Sequence, residues 1–427
     1  MRRRRFQLWL VLVAAAALLS GCITGRTLSH PPVPVAASER SAHNLRVFDR
    51  ACALVKSRFY DEKKLVAANW EALTARYRPK AEKAADDEAL YYQVINPMFD
   101  ELKTSHLVAI SPQDAYEDGT EHRTLLGLRH ERIENRWVVR DVIPGSSAEA
   151  AGVQRGWIVV KINGQPFGAR HPPYKEGEEV AVEFADESDQ PRMMTLTARS
   201  LSMVPRLESR ELAGGMWYLR FDEFNRESRR WLSEQLKIHA SAPGVVVDLR
   251  QNPGGEAFSL TFALGEFFPR VMPMGAFVRR SGKSRDADSI PWRSAKYSGR
   301  VAVLVGPSTA SCSEIFAHVL QYHKRAALIG QKTAGAVIAS AYYALPGDGR
   351  LQIPEWDYRG LDGRRLEAEG VTPDVIVTGK LAELRAGRDP ELEAALRELS
   401  PAPGQADAAG FGKSKREDAL AVHEIRP

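Results

Sequence analysis

Cysteine is scarce in this chain of 427 residues: there are three, Cys22, Cys52 and Cys312. Their spacings fit neither a disulfide framework nor a metal site. If Cys22 carries a lipid, as argued below, only Cys52 and Cys312 remain to pair, and two separate thiols are expected. No metal-ligand cluster, phosphate loop or dinucleotide glycine fingerprint is present, so no cofactor and no metal is expected. Excess charge is also missing. The formal net charge is +5, and Arg2, Arg3, Arg4 and Arg5 supply four of those units. Once that leader is discounted about +1 remains, which argues against a nucleic-acid partner. What is present is the composition of a soluble globular protein, with 44% hydrophobic and 26% charged residues. The length suits two or three domains.

The first residues form a four-arginine start, an apolar run from Phe6 to Leu19, and then Leu19-Ser20-Gly21-Cys22. The run is short of the roughly 20 apolar residues of a stable membrane span. The four-residue end resembles the lipobox of bacterial lipoproteins, where small residues precede a thiol that takes a diacylglyceryl group. Residues 1–21 are therefore expected to be a signal peptide, and Cys22 the lipidation site. Ile23 rather than aspartate after the cysteine implies, by the same resemblance, the outer membrane on its periplasmic side. Residues 22–42 read as a flexible tether.

Residues 43–112 read as helical. Leu45, Phe48, Ala51, Leu54 and Val55 recur at helical spacing, as do Leu90, Tyr91, Val94 and Phe99 around a helix-ending Pro97. Residues 123–200 change to short alternating apolar runs, among them Ile158–Ile162 and Val180–Phe184. Turns at Pro144-Gly145, Arg155-Gly156 and Asn163-Gly164 break them. The run from Val142 to Gly164 resembles a PDZ domain of the kind inserted in bacterial processing proteases. Such domains take extended peptide ends as an added strand. The resemblance makes Leu126, Gly127 and Leu128 the peptide-binding loop. From 205 to 400 strands and helices alternate. Trp217–Phe221, Val245–Leu249 and Val301–Val305 are strands, the latter two apolar enough for a sheet covered on both faces. Residues 226–240 and 389–399 read as helices. Residues 401–427 read as a disordered tail.

Two loops stand out. Asp248-Leu249-Arg250-Gln251-Asn252-Pro253-Gly254-Gly255 runs from a strand into a glycine turn, where the backbone can approach a ligand and offer N–H groups. Ser308-Thr309-Ala310-Ser311-Cys312-Ser313-Glu314 runs from a buried strand into a helix. A serine at such a turn suits a nucleophile beside backbone donors. Either loop alone is also what a glycine turn or a helix cap looks like.

Taken together and in this order, with the helical lead-in and the β-rich module, the loops resemble the C-terminal processing peptidases, or tail-specific proteases. The resemblance implies an α/β core of the ClpP/crotonase-like β-α superhelix, with an N-terminal helical segment and an inserted PDZ-like domain. It makes Ser311 the nucleophile, with the N–H groups of Cys312 and of Gly254 or Gly255 as the oxyanion hole. The family's lysine is absent, because Ala336 stands in its place; Lys332 matches a different position. Glu101-Leu102-Lys103-Thr104-Ser105-His106 resembles the Glu-Leu-Gly-Thr-Ser-His segment of the tricorn-type branch. That branch implies His106 as general base, Ser105 as its supporting hydroxyl and Glu367 as the orienting carboxylate, with Glu369 as the alternative. The expected function is a membrane-tethered serine endopeptidase acting on envelope polypeptides. The alternative is an inactive adaptor that binds protein tails.

Overall fold

The structure is a computed structural model, and it describes residues 30–168, 173–289 and 297–400. The expected signal peptide, Cys22 and the expected tail 401–427 lie outside the described residues.

The chain enters through a 3-10 turn, Ala37–Glu39, that leads into α1 (Arg40–Arg58). The stretch expected as tether is therefore helical from Ala37 onward. Burial explains this: His43 and Asn44 already face inward, and Asn44 donates to the Ala84 carbonyl at 2.8 Å. Next come α2 (Glu62–Ala67), capped by Asp61, and α3 (Trp70–Glu82). A π-helical turn, Ala89–Ile95, runs directly into α4 (Asn96–Asp100). Pro97 does not end this helix. The wider turn, in which Asn96 N–H reaches back to Tyr91, lets a residue without N–H sit at the start of the next helical stretch.

After a loop come β1 (Val108–Ile110) and α5 (Pro112–Thr120). A β-rich module follows: β2 (His122–Leu125), β3 (Leu128–Ile133), β4 (Arg136–Val142), α6 (Ser147–Ala150), β5 (Ile158–Ile162), β6 (Gln165–Pro166), β7 (Glu179–Ala185), β8 (Pro191–Thr197) and β9 (Arg199–Ser202). Strands β2 and β9 pair as a stem. The module's sheet runs β3-β4-β5-β7-β8, so β3 is an edge.

The remainder is β10 (Leu207–Glu211), β11 (Trp217–Phe221), α7 (Arg226–Ile238), β12 (Gly244–Asp248), α8 (Ala257–Gly265), β13 (Pro273–Arg279), β14 (Ser284–Asp288), β15 (Arg300–Val305), α9 (Cys312–Tyr322), β16 (Ala327–Gly330), β17 (Ile338–Ala344), β18 (Arg350–Arg359), β19 (Val375–Ile376), α10 (Leu381–Arg385) and α11 (Pro390–Leu399). The central sheet has the order β10-β11-β12-β15-β16-β19 and is parallel from β11 onward. Its strands alternate between two cores. Val245, Val247, Val301, Val303 and Val305 point to one side, against α8 and α9. Val246, Ala302 and Leu304 point to the other, against α11. This double covering is why β12 and β15 read as unbroken apolar runs.

A second sheet, β1-β18-β13-β14 with β17 beside β18, mixes chain regions far apart in sequence. Strand β1 pairs with β18, and Ile338, Leu351 and Ile353 join the core of the helical segment. Residues 43–112 are thus packed into the same body as the central sheet, which brings the loop 101–107 to the carboxyl end of that sheet.

Candidate active site

The turn after β15 is tied to the turn after β12. Thr309 Oγ1 donates to the Leu249 carbonyl at 2.8 Å and accepts from Gly306 N–H at 2.9 Å. Asn252 Oδ1 accepts from Ser313 Oγ at 2.8 Å, and its amide donates to the Phe221 carbonyl at 2.8 Å. Ser311 sits between these braces at φ 53° and ψ −120°, a conformation that side chains rarely hold, directly before α9. The Asp248 and Arg250 of the same motif do not reach toward it. They form a buried ion cluster with Asp389 and Glu391 that seats α11. Burial favours the neutral acid at Asp248, but the guanidinium of Arg250 overrides it and holds that carboxyl well below its usual range.

Glu314 braces the nucleophile from within α9. It is fully buried, and its carboxylate accepts from Ser311 N–H at 3.1 Å, Gly335 N–H at 2.8 Å, Ala336 N–H at 2.8 Å and the Thr333 hydroxyl. Burial pushes its acid up, and those donors pull it back. Sequence reasoning noted Glu314 only as a letter in a motif. Nothing in the sequence announces that four donors converge on it.

The second half of the site comes from the loop before β1. Ser105 Oγ donates to Glu367 Oε2 at 2.8 Å and Ser105 N–H to Oε1 at 3.0 Å. His106 Nδ1 lies 2.8 Å from Ser105 Oγ. Because the Ser105 hydroxyl spends its proton on the carboxylate, Nδ1–H must donate to it, and Nε2 is left as the basic nitrogen. Burial holds the imidazole below its usual value, while Glu367 pulls the other way.

Ala336 and Val337 join the halves. The Ala336 carbonyl accepts from Ser311 N–H at 3.0 Å, and Val337 N–H donates to Glu367 Oε2 at 2.9 Å. Among the described residues no hydrogen bond links His106 to Ser311. Catalytic hydrogen bonds commonly tighten only when substrate is bound.

Other expectations sort as follows. Glu367 is buried and Glu369 exposed, so the carboxylate behind His106 is Glu367. Lys332 is exposed and takes no part. Gly254 is corrected as an oxyanion donor, because its N–H donates to Asn252 Oδ1 at 2.9 Å. Its role is steric: a Cβ there would lie 2.7 Å from Ser311 Cβ and 3.0 Å from Cys312 N. Gly255 at φ 138° keeps its N–H out of the bridge to Phe224, and Cys312 N–H stands at the start of α9, so these two are the candidate donor pair. The Cys312 thiol is buried against the Gly255 carbonyl at 3.2 Å. Cys52 lies in a different core, and burial pushes its thiol up to about 12, so the two thiols are separate. In the module, Leu126 is core rather than lining, and Gly127 turns tightly over Ser146. Leu128 opens the edge strand β3. Among the described residues there is no cluster of three or more potential metal ligands, and no helix is long and apolar enough to cross a membrane.

Residues 215–377 match the family model for peptidase family S41, and residues 41–100 match the tricorn protease C1 domain. A Streptomyces coelicolor protein named as a tricorn protease homologue is 23% identical over 388 residues, 82% of this chain but only 32% of that protein. The carboxy-terminal-processing protease of Bartonella bacilliformis is 26% identical over 378 residues, 80% of this chain and 79% of the relative. The solved photosystem II D1 C-terminal processing protease has a TM-score of 0.56 at 21% identity, covering 88% of this chain and 99% of that one.

Proposed function

We propose that this chain, which belongs to the S41 serine peptidases, cleaves peptide bonds with Ser311 as nucleophile, His106 as general base and Glu367 acting through Ser105. The observation that carries this reading is the relay Glu367–Ser105–His106, which leaves Nε2 unprotonated and is fastened to Ser311 through the adjacent residues 336 and 337. In this mechanism Ser311 Oγ attacks the scissile carbonyl carbon as its proton passes to Nε2. The oxyanion is held by the N–H groups of Gly255 and Cys312. The imidazolium then returns the proton to the leaving amine, and a water repeats the sequence to release the acyl group. The alanine at 336 excludes a lysine base there, and the histidine makes that lysine unnecessary.

The finer reading is an envelope enzyme tethered through Cys22, whose PDZ-like module takes extended or C-terminal segments along β3. Its support is the lipobox-like sequence and the open edge of that strand. The adaptor reading draws on Ala336 alone. A fluorophosphonate probe separates the two. The enzyme reading expects labelling of the soluble chain that is lost in both Ser311→Ala and His106→Ala. Labelling should also persist below pH 6.5, the ordinary histidine value, because burial lowers the His106 imidazole. A folded chain that neither labels nor cleaves peptides but still binds their carboxyl ends would be the adaptor.

A further inference from the structure

The loop that presents His106 adopts left-handed backbone angles twice, at Lys103 (φ 47°) and at His106 itself (φ 60°). Neither residue is glycine, so the loop does not hold this path by intrinsic preference and must be held from outside. Glu367 holds it at Ser105. The other hold comes from α2. Lys64 Nζ donates to the Lys103 carbonyl at 2.8 Å and to Thr104 Oγ1 at 2.7 Å. Thr104 Oγ1 in turn donates to the Leu102 carbonyl at 3.1 Å.

Lys64 is half-buried in a site with mixed charge. Arg365 repels its ammonium, while Glu367 and Asp61 attract it, and burial pushes it below the usual lysine value. A lysine side chain buried at this cost and aimed at two loop acceptors is not a surface residue that happens to lie nearby.

We propose that Lys64 is a positioning residue for the general base: it fixes residues 103 and 104 so that the imidazole stays against Ser105, and it adds a positive charge behind Glu367. The proposal deepens the Ser311–His106–Glu367 reading and rests on it for its catalytic meaning. The charges that act on Lys64 are Glu367, Arg365 and Asp61, and of these Glu367 also acts on the His106 imidazole. Lys64 and Glu367 thus hold the loop together, the one at residues 103 and 104 and the other at Ser105.

The test compares Lys64→Met with Lys64→Arg, in full chains otherwise intact. The His106 ring is titrated by NMR in a Ser311→Ala background, and fluorophosphonate labelling is timed with Ser311 present. With Lys64→Met the His106 midpoint should move up, because the loop loosens and water reaches an imidazole whose charged form burial disfavours. Labelling should slow about a hundredfold, the usual scale for a misplaced catalytic group. Lys64→Arg should restore both. An unmoved midpoint in Lys64→Met overturns the proposal, as does slower labelling that arginine does not rescue, since that is the mark of a merely structural contact. If Lys64→Met does not fold, Thr104→Val removes one acceptor and leaves the charge; labelling as fast as wild type then overturns the proposal, and slower labelling supports it. The ring titration needs no activity, so it decides the role of Lys64 even if labelling of the wild type rules against the peptidase.

Discussion

Lys103 stands where the tricorn-type segment has glycine, and its φ of 47° shows why glycine suits that place. A side chain held in the left-handed region costs about 1–2 kcal/mol, and the exposed Lys103 side chain makes no hydrogen bond among the described residues that offsets it. Lys103→Gly should therefore raise stability by ~0.5–1 kcal/mol, after the greater entropy of glycine in the unfolded chain is allowed for. Urea denaturation measures this, and a lower midpoint would refute the strain. This position also marks what single residues reveal in sequence. Ser311, His106, Ser105 and Glu367 were legible because their chemistry and their local motifs coincide. Lys64 and the bracing role of Glu314 were not, since each acts through backbone groups contributed by distant segments. The choice between Gly254 and Gly255 stays open in sequence for the same reason: the two glycines look alike, and only the Asn252 carboxamide, which takes the Gly254 N–H, separates them.

Apolar strands were legible nearly to the residue, because burial on both faces writes an unbroken hydrophobic run. The second sheet was not. Strand β18 carries Pro354, Glu355 and Asp357 within its ten residues, and it tolerates the proline at a shift in register against β17. Its outer edge is shared by β1, β13 and the Tyr60 N–H, so no local pattern marks it as a central strand. The seating of the β-rich module was equally hidden. Leu381 and Leu384 of α10 pack on Ile133, Val138 and Ile158. Arg385 donates to the Gly156 carbonyl at 3.1 Å and the Asp186 carbonyl at 2.8 Å. At the opposite end Arg129 of β3 pairs with Asp222 at 2.9 Å, two residues before Phe224, which bonds to the glycine turn of the active site. The module is thus fastened by one short helix, whose Arg385 also pairs with Asp189 at 2.8 Å, and at the other end by the pairs Arg129–Asp222 and Arg220–Asp141, the latter at 3.7 Å. Leu384→Ala should cost about 2–4 kcal/mol at that interface. It should raise amide exchange in residues 130–185 while β12 and β15 stay protected. Equal loss of protection in both would mean that the module and the central sheet open as one unit.

At the scale of the whole molecule, both halves of the site meet on one buried imidazole. His318 lies in α9, two turns beyond Ser311, and the turn it packs against, Gly360–Arg364, leads directly to Glu367. Neither ring nitrogen of His318 has a hydrogen-bond partner among the described residues, and the Asp362 carboxylate is 3.9 Å away. Burial holds this imidazole below the usual histidine value despite Asp362, and it does the same at His43 and His106. The unfolded chain takes up these protons near pH ~6.5, and the folded chain resists until lower pH. The unfolded state therefore binds more protons in that window. Stability is complete above it and declines as pH falls through about 6.5 toward the lowered folded values. His318→Leu removes one of these groups together with two unpartnered nitrogens, and should stabilise the chain by ~1 kcal/mol at pH 7.5. It should also shrink the fall in Tm between pH 7.5 and 5.5, and if the fall is as large as in the wild type, the acid sensitivity does not reside at His318. Because α9 starts directly after Ser311 and the facing turn leads on to Glu367, and because burial disfavours the charged imidazole despite Asp362, a proton on His318 would favour opening of this contact to water, so labelling by a fluorophosphonate at pH 5.5 should fall less in His318→Leu than in the wild type.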